Sequence, residues 1–150
     1  MPLPNIPENI PPAPHYLSVT AKLGVPTIQS EDQLAALVQE QLPITTVKSL
    51  EENGILDTEI YSLVIPRRTL AHRKAKKERL SIDESDRAVR IARVTSLAEE
   101  IFGDSEKALR WLRKPKMRFN GRSPMSMLLT ESGTRLVEDL LYAFDYGMLA

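Results

Sequence analysis

Apolar residues at steps of three or four positions run through most of this chain, and this helical spacing limits the possible folds more than any other feature. The clearest case starts at Ser81, which pairs with Glu84 as a capping box that satisfies free backbone N–H groups at a helix start. The segment from about Asp83 to Phe102 then keeps its apolar residues on one face, and Gly103 ends it. This pattern predicts one long helix.

Shorter helices are predicted on both sides of this long helix. Ser30 and Asp104 are suited to start helices, whereas Pro43, Gly54 and Pro115 are suited to end them. No segment alternates apolar and polar residues as a strand would, and no internal repeat is present. From residue 31 onward we therefore predict an all-α protein.

The first 29 residues differ from the rest, because six of the first fourteen are proline. Proline lacks a backbone N–H and has a fixed φ, so it disfavours both helices and central strands. We predict a Pro-rich flexible arm over residues 1–29. Two roles are open for it: an inert tail, or an arm that packs on a partner subunit.

The composition argues against several classes of protein. The chain has no cysteine, which excludes disulfides and thiolate metal sites and is typical of a reducing cytoplasm. Its two histidines, His15 and His72, are far apart, and no glycine-rich phosphate loop or nucleophile motif occurs. No apolar run approaches a membrane span, and no secretory signal is recognised. We expect a cytoplasmic protein that is not an enzyme and has neither metal nor cofactor.

The net charge of zero is the sum of three segments that differ in charge. Residues 1–65 have two Lys or Arg against eight Asp or Glu, which gives −6. Residues 66–93 have ten against four, which gives +6, and residues 94–150 have eight of each. A block of +6 in a neutral chain can attract a polyanion such as nucleic acid.

The basic block begins with a segment, PRRTLAHRKAKK, whose apolar residues are only Leu70, Ala71 and Ala75. A short helix and a tight turn around Ile65–Pro66 precede it. This order predicts a helix-turn-helix whose second helix lies in the major groove of DNA. The residues predicted to reach base edges are Arg67, Arg68, Thr69, His72 and Arg73. Those predicted to bind phosphates are Lys74, Lys76, Lys77 and Arg79. Two alternatives are a solvated helix whose cations offset the acidic first block, and a helix that binds an acidic protein.

From residue 63 onward the chain resembles the Xre/MbcA/ParS antitoxin family, whose members are partners of RES-domain toxins in type II toxin–antitoxin modules. The motifs that carry the resemblance are RRTL, ESDR, FGD, WL, GRSP and YG, in this order. The resemblance is strong over residues 63–150. It is weaker over residues 30–62, where it depends on the order of the helices.

This resemblance implies a Cro-like helix-turn-helix domain plus a small helical toxin-binding domain. Residues 30–93 would bind operator DNA and form a dimer, and residues 94–150 would bind the toxin. The family's toxins consume NAD, and the antitoxin blocks the toxin without catalysis of its own. Its C-terminal end is inserted at the toxin's active site, and the residues that correspond to this end are Asp145, Tyr146, Gly147, Met148, Leu149 and Ala150.

One loop departs from the family pattern. FNGRSP matches it, so Asn120, Gly121, Arg122 and Pro124 are expected to be structural, but the preceding KPKMRF is more basic than the resemblance implies. These extra cations either provide an additional contact with the toxin or have no role in binding.

Two further features leave alternatives open. The C-terminal end could instead pack on its own domain, and the protein could be a stand-alone regulator whose C-terminal domain only oligomerises or binds a ligand. A homodimer is expected in either case, since reading two half-sites needs two-fold symmetry. The acidic block over residues 30–60 is the predicted dimer contact.

Overall fold

The computed structural model describes residues 14–147, and within this range the chain forms nine α-helices and no β-strand. A short 3₁₀ turn lies at Met117–Phe119. The prediction of an all-α protein is confirmed. The bounds of α1 to α9, in chain order, are Pro14–Leu23, Glu31–Gln39, Thr45–Glu52, Asp57–Leu63, Arg67–Lys76, Ile82–Phe102, Ser105–Arg113, Pro124–Met127 and Glu131–Asp145.

The first helix shows that the predicted flexible arm over residues 1–29 is wrong for residues 14–23. α1 begins at Pro14, where proline is tolerated because the first turn of a helix does not use its backbone N–H groups. Val19 and Leu23 lie four positions apart and are fully buried, because α1 packs against α3 and α6. The prolines that motivated the prediction all precede or begin this helix. Residues 1–13 lie outside the described residues.

Polar contacts also fasten α1 to the long helix α6. The Lys22 ammonium, which is almost completely buried, donates to Glu99 Oε1 at 2.6 Å. Ser18 Oγ donates to Ser96 Oγ at 2.8 Å. A buried ammonium without a carboxylate partner would be costly, so Lys22 and Glu99 fix the position of α1 along α6.

The helix starts follow the predicted cap residues. Ser81 Oγ accepts from the Glu84 N–H at 3.1 Å and Glu84 Oε1 accepts from the Ser81 N–H at 2.8 Å, which confirms the capping box of α6. Ser30 and Asp104 cap α2 and α7 through N–H groups three residues further on. Each such cap contributes roughly 1 kcal/mol. α6 ends at Gly103, whose φ of 72° is unfavourable for residues with a Cβ.

α6 is the axis of the fold, and both parts of the chain share its core. It packs against α1, α2, α3, α7 and α9. Ile91, Val94 and Ala98 on α6 are completely buried. The same hydrophobic cluster continues from Val19 in α1 to Leu141 in α9. The two surfaces described below are therefore held on one packed body.

Candidate nucleic-acid interface and C-terminal surface

The segment from α4 to α5 confirms the predicted helix-turn-helix. Three residues separate the two helices, and two of them, Val64 and Ile65, are buried and anchor the turn in the core. Pro66 occupies the position before the first residue of α5. Arg87 of α6 donates from Nε to the Val64 carbonyl oxygen at 3.0 Å, which ties the turn to the long helix.

α5 is attached to the core by one side chain and exposes most of its cations. Leu70 is 4% exposed, as expected for the only leucine of this helix. Thr69 is half-buried. Within the described part of the chain, the exposed polar side chains of α5 and its C-cap that have no ion-pair partner are Arg67, Arg68, His72, Lys74, Lys76 and Lys77. Five of these six are cations, so this face suits a polyanion.

Arg73 lies in α5 but has a different environment from the other cations. Its Nε donates to Glu84 Oε1 at 2.8 Å and its Nη2 to Glu84 Oε2 at 3.1 Å, a two-point contact. Its Nη1 donates to Glu78 Oε2 at 3.0 Å. Because this guanidinium is held by two carboxylates, it is not free to read a base edge as the sequence predicted. Arg73 instead fixes the orientation of α5 against the start of α6.

The ionisation of this pair agrees with its geometry. Burial raises the pKa of the Glu84 carboxyl, but the hydrogen bonds from Arg73 and Ser81 outweigh it and leave the pKa below its usual value. The hydrogen bond to Glu84 raises the pKa of the Arg73 guanidinium. Both groups stay charged near neutral pH. Glu84 therefore serves two helices, as a cap for α6 and as the counter-ion for α5.

Arg79 also has an intramolecular role. Its Nε donates to the Gln41 carbonyl oxygen at 2.7 Å, although the side chain is exposed. The next residue, Leu80, donates its N–H to the Leu42 carbonyl oxygen at 3.0 Å. These bonds join the segment after α5 to the segment after α2. The pattern of charges along the sequence contained no signal for this pairing, because the partners are almost forty residues apart.

The C-terminal end of α9 is the second surface. Asp145 ends the helix, Tyr146 follows as its C-cap with 74% of its surface exposed, and Gly147 has a φ of 68°. The other three residues of the predicted toxin contact, Met148, Leu149 and Ala150, lie outside the described residues. The structure thus brings Asp145, Tyr146 and Gly147 together at an exposed helix end.

An aromatic cluster supports this end. The rings of Phe102, Trp111 and Phe144 lie 5.6 to 5.9 Å apart, in tilted or edge-to-face contacts. Trp111 is half-buried, and Phe144 is 39% exposed. Leu136, earlier on α9, is 51% exposed. The spacing of apolar residues did not reveal this surface, because each ring comes from a different helix.

The loop between α7 and α8 is compact. The Lys116 N–H donates to the Arg122 carbonyl oxygen at 3.1 Å, and the Gly121 N–H donates to the Lys116 carbonyl oxygen at 2.9 Å. Asn120 and Gly121 have φ values of 56° and 83°, and Phe119 is buried beneath the loop. Left-handed φ values at Asn-Gly are typical of a turn, which agrees with the structural role expected for these residues.

Other kinds of site find no support in the described residues. Between residues 14 and 147, no group of three His, Asp or Glu side chains is arranged as a metal site. Among the helices that the structure describes, none has the length and apolar character needed to cross a membrane.

These features define a class: a helical protein with a helix-turn-helix and a second helical part that ends in an exposed aromatic surface. Two family models match the chain, an antitoxin Xre-like helix-turn-helix domain over residues 33–93 and an antitoxin Xre/MbcA/ParS C-terminal toxin-binding domain over residues 97–147. They cover both surfaces described above.

Relatives named Antitoxin Xre support the same assignment. That of Pseudomonas putida is 40% identical over 130 residues, which are 85% of this chain and 82% of the relative. That of Photorhabdus laumondii is 31% identical over 131 residues, covering 85% and 88%. That of Yersinia enterocolitica is 37% identical over 87 residues, covering 57% and 59%. The chain belongs to the Xre antitoxin family.

Proposed function

We propose that this chain neutralises a RES-domain toxin that consumes NAD, by inserting its C-terminal end at the toxin's active site, and that it represses its own operon by binding operator DNA. The observation that carries the proposal is the exposed end of α9, which leads into the last three residues of the chain. The chain itself would act by occlusion and perform no reaction. Both partners belong to the cytoplasm, and we propose that the protein works there.

The toxin contact is proposed for residues 145–150. Tyr146 is an amphipathic side chain at 74% exposure, and such side chains are frequent anchors in protein interfaces. Gly147 has a positive φ, a conformation that glycine adopts without steric cost and that does not continue a helix. A short segment at the end of a packed helix can fill a narrow pocket at little cost to the rest of the fold.

The DNA contact is proposed for the exposed face of α5. Arg67, Arg68, Thr69 and His72 lie in its first two turns, which is the part of a recognition helix that reads bases. Further along the helix, Lys74, Lys76 and Lys77 would neutralise phosphates. Arg73 and Arg79, included with these residues on sequence grounds, would act indirectly by holding α5 in place. We propose that two copies bind two half-sites as a homodimer.

The proposal is tested by co-expression with the protein encoded by the neighbouring reading frame, followed by pull-down and measurement of cellular NAD. A stable complex that restores both growth and NAD is expected. If the neighbour alone changes neither growth nor NAD and no complex forms, the antitoxin role is wrong for this pair. A stand-alone regulator with a C-terminal oligomerisation or ligand domain would then be the better description.

A further inference from the structure

We propose that the loop over residues 114–122, named the basic loop here, is a second contact for the toxin. It would meet an acidic surface with an apolar depression beside the toxin's active site. This inference rests on the proposed function, because it needs a toxin seated on the C-terminal end of α9.

The basic loop concentrates positive charge without a compensating acid. It contains Lys114, Lys116, Arg118 and Arg122 and no Asp or Glu, in a chain whose net charge is zero. In the part of the chain that the structure describes, none of these four cations forms an ion pair. Burial and the neighbouring charge of Lys114 lower the pKa of the Lys116 ammonium. An acidic partner would relieve the repulsion between these cations.

An apolar side chain stands among these cations. Met117 is 96% exposed, the largest value among the exposed apolar residues of the described chain. Methionine is flexible and polarisable, and it adapts well to apolar depressions on a partner. The backbone around it is held by the two hydrogen bonds between Lys116 and the residues at 121 and 122, and by buried Phe119. A loop that is already ordered loses little entropy when a partner binds.

The basic loop is continuous with the C-terminal surface. The Lys116 Nζ lies 4.7 Å from the centre of the Trp111 ring, and that ring contacts Phe144 at 5.8 Å between centroids. Phe144 is two residues before Tyr146. A stable protein interface uses roughly 20–30 residues on each side, far more than residues 145–150 can supply. A toxin that binds this end would therefore also contact the surface around it, which includes the basic loop.

Cations can also bind DNA phosphates, and the start of the loop is near the helix-turn-helix. Arg113, just before the loop, forms an ion pair with Glu59 of α4 at 2.8 Å. However, the exposed Met117 has no role on a phosphate backbone, whereas it suits a protein partner. The contact with Trp111 also connects the loop to the end of α9. These observations favour the toxin.

The test compares three variants of the full chain: Arg118→Glu, Met117→Ser and the control Lys107→Glu. Lys107 is exposed on α7, outside the basic loop and the C-terminal end, and its reversal changes the net charge by the same amount as that of Arg118. Binding is measured to the RES-domain protein of the neighbouring gene, made by cell-free synthesis, and separately to an operator duplex. We expect Arg118→Glu to weaken toxin binding about ten-fold at low salt, mainly through slower association, and less at high salt. Met117→Ser should weaken it about five-fold through faster dissociation.

Three results would overturn the inference. If the unaltered chain binds the toxin and both loop variants match Lys107→Glu, the basic loop is solvated and the proposed function still stands. If Arg118→Glu weakens only operator binding, the loop contacts DNA instead. If the unaltered chain does not bind the RES-domain protein at all, the proposed function and this inference fail together.

Discussion

Replacing Arg73 with alanine tests whether this residue supports the fold or reads DNA. The change leaves the Glu84 carboxylate, whose side chain is 7% exposed, without its cation. Removing one partner of a buried pair costs about 3–5 kcal/mol, and a hydrogen bond to a charged group contributes about 1.5–3 kcal/mol. Arg73 is itself 22% exposed and Glu84 keeps the hydrogen bond from Ser81, so we expect a loss of about 2 kcal/mol in the free energy of unfolding. For a chain of this size, Tm should fall by about 4–8 °C.

The assay combines thermal unfolding with operator binding at several salt concentrations, and Lys74→Ala is the matched control. Lys74 is exposed, so its loss should change the unfolding free energy by less than about 0.5 kcal/mol. If it binds a phosphate, the slope of log affinity against log salt should decrease by about 0.9. Arg73→Ala should show the opposite pattern, with a lower Tm and nearly the same slope. An unchanged Tm together with a reduced slope for Arg73→Ala would refute the assignment of Arg73 to Glu84.

Three further predictions concern pH, α1 and the C-terminal end. Because the pKa of Glu84 is lowered in the folded state, its contribution to stability is complete above its ordinary pKa of 4.5 and is lost as the pH falls through the lower folded value. Urea unfolding of Glu84→Gln should therefore depend less on pH below about 4.5 than unfolding of the unaltered chain. Leu23→Ala should lower the free energy of unfolding, measured in urea, by about 2–5 kcal/mol because Leu23 is fully buried. Leu17 is 46% exposed, so Leu17→Ala should lower it by less than about 1 kcal/mol. Equal losses for the two variants would contradict the packing of α1. Deletion of residues 146–150 should leave Tm and operator affinity unchanged, because Tyr146 is mostly exposed. A fall in Tm would show that this end packs on its own domain.

The features that could be predicted from sequence are those set by neighbours within about four positions. The capping box of Ser81 and Glu84, the end of α6 at Gly103 and the turn at Asn120 all depend on such local geometry. The helix-turn-helix was predictable for the same reason, because α4 and α5 each follow from their own spacing. The all-α fold then follows, since no strand pattern competes.

Features that depend on distant partners were not predictable. Arg73 looks like its cationic neighbours in sequence, and only the path of the chain between α5 and α6 brings it to Glu84, eleven residues later. The aromatic cluster has the same origin, because Phe102, Trp111 and Phe144 come from three helices. α1 was not predicted for a different reason. The many prolines indicated a flexible arm, although the residues that follow them have the apolar spacing of a helix.

In the proposed mechanism, the C-terminal end itself blocks the toxin. The most direct measurement is the rate of NAD consumption by the purified RES-domain protein as increasing amounts of this chain are added, either complete or lacking residues 146–150. The complete chain should stop NAD consumption at a stoichiometric amount. The shortened chain should still bind through its other contacts but leave most of the NAD consumption intact. Equal inhibition by both chains would contradict insertion of this end at the active site.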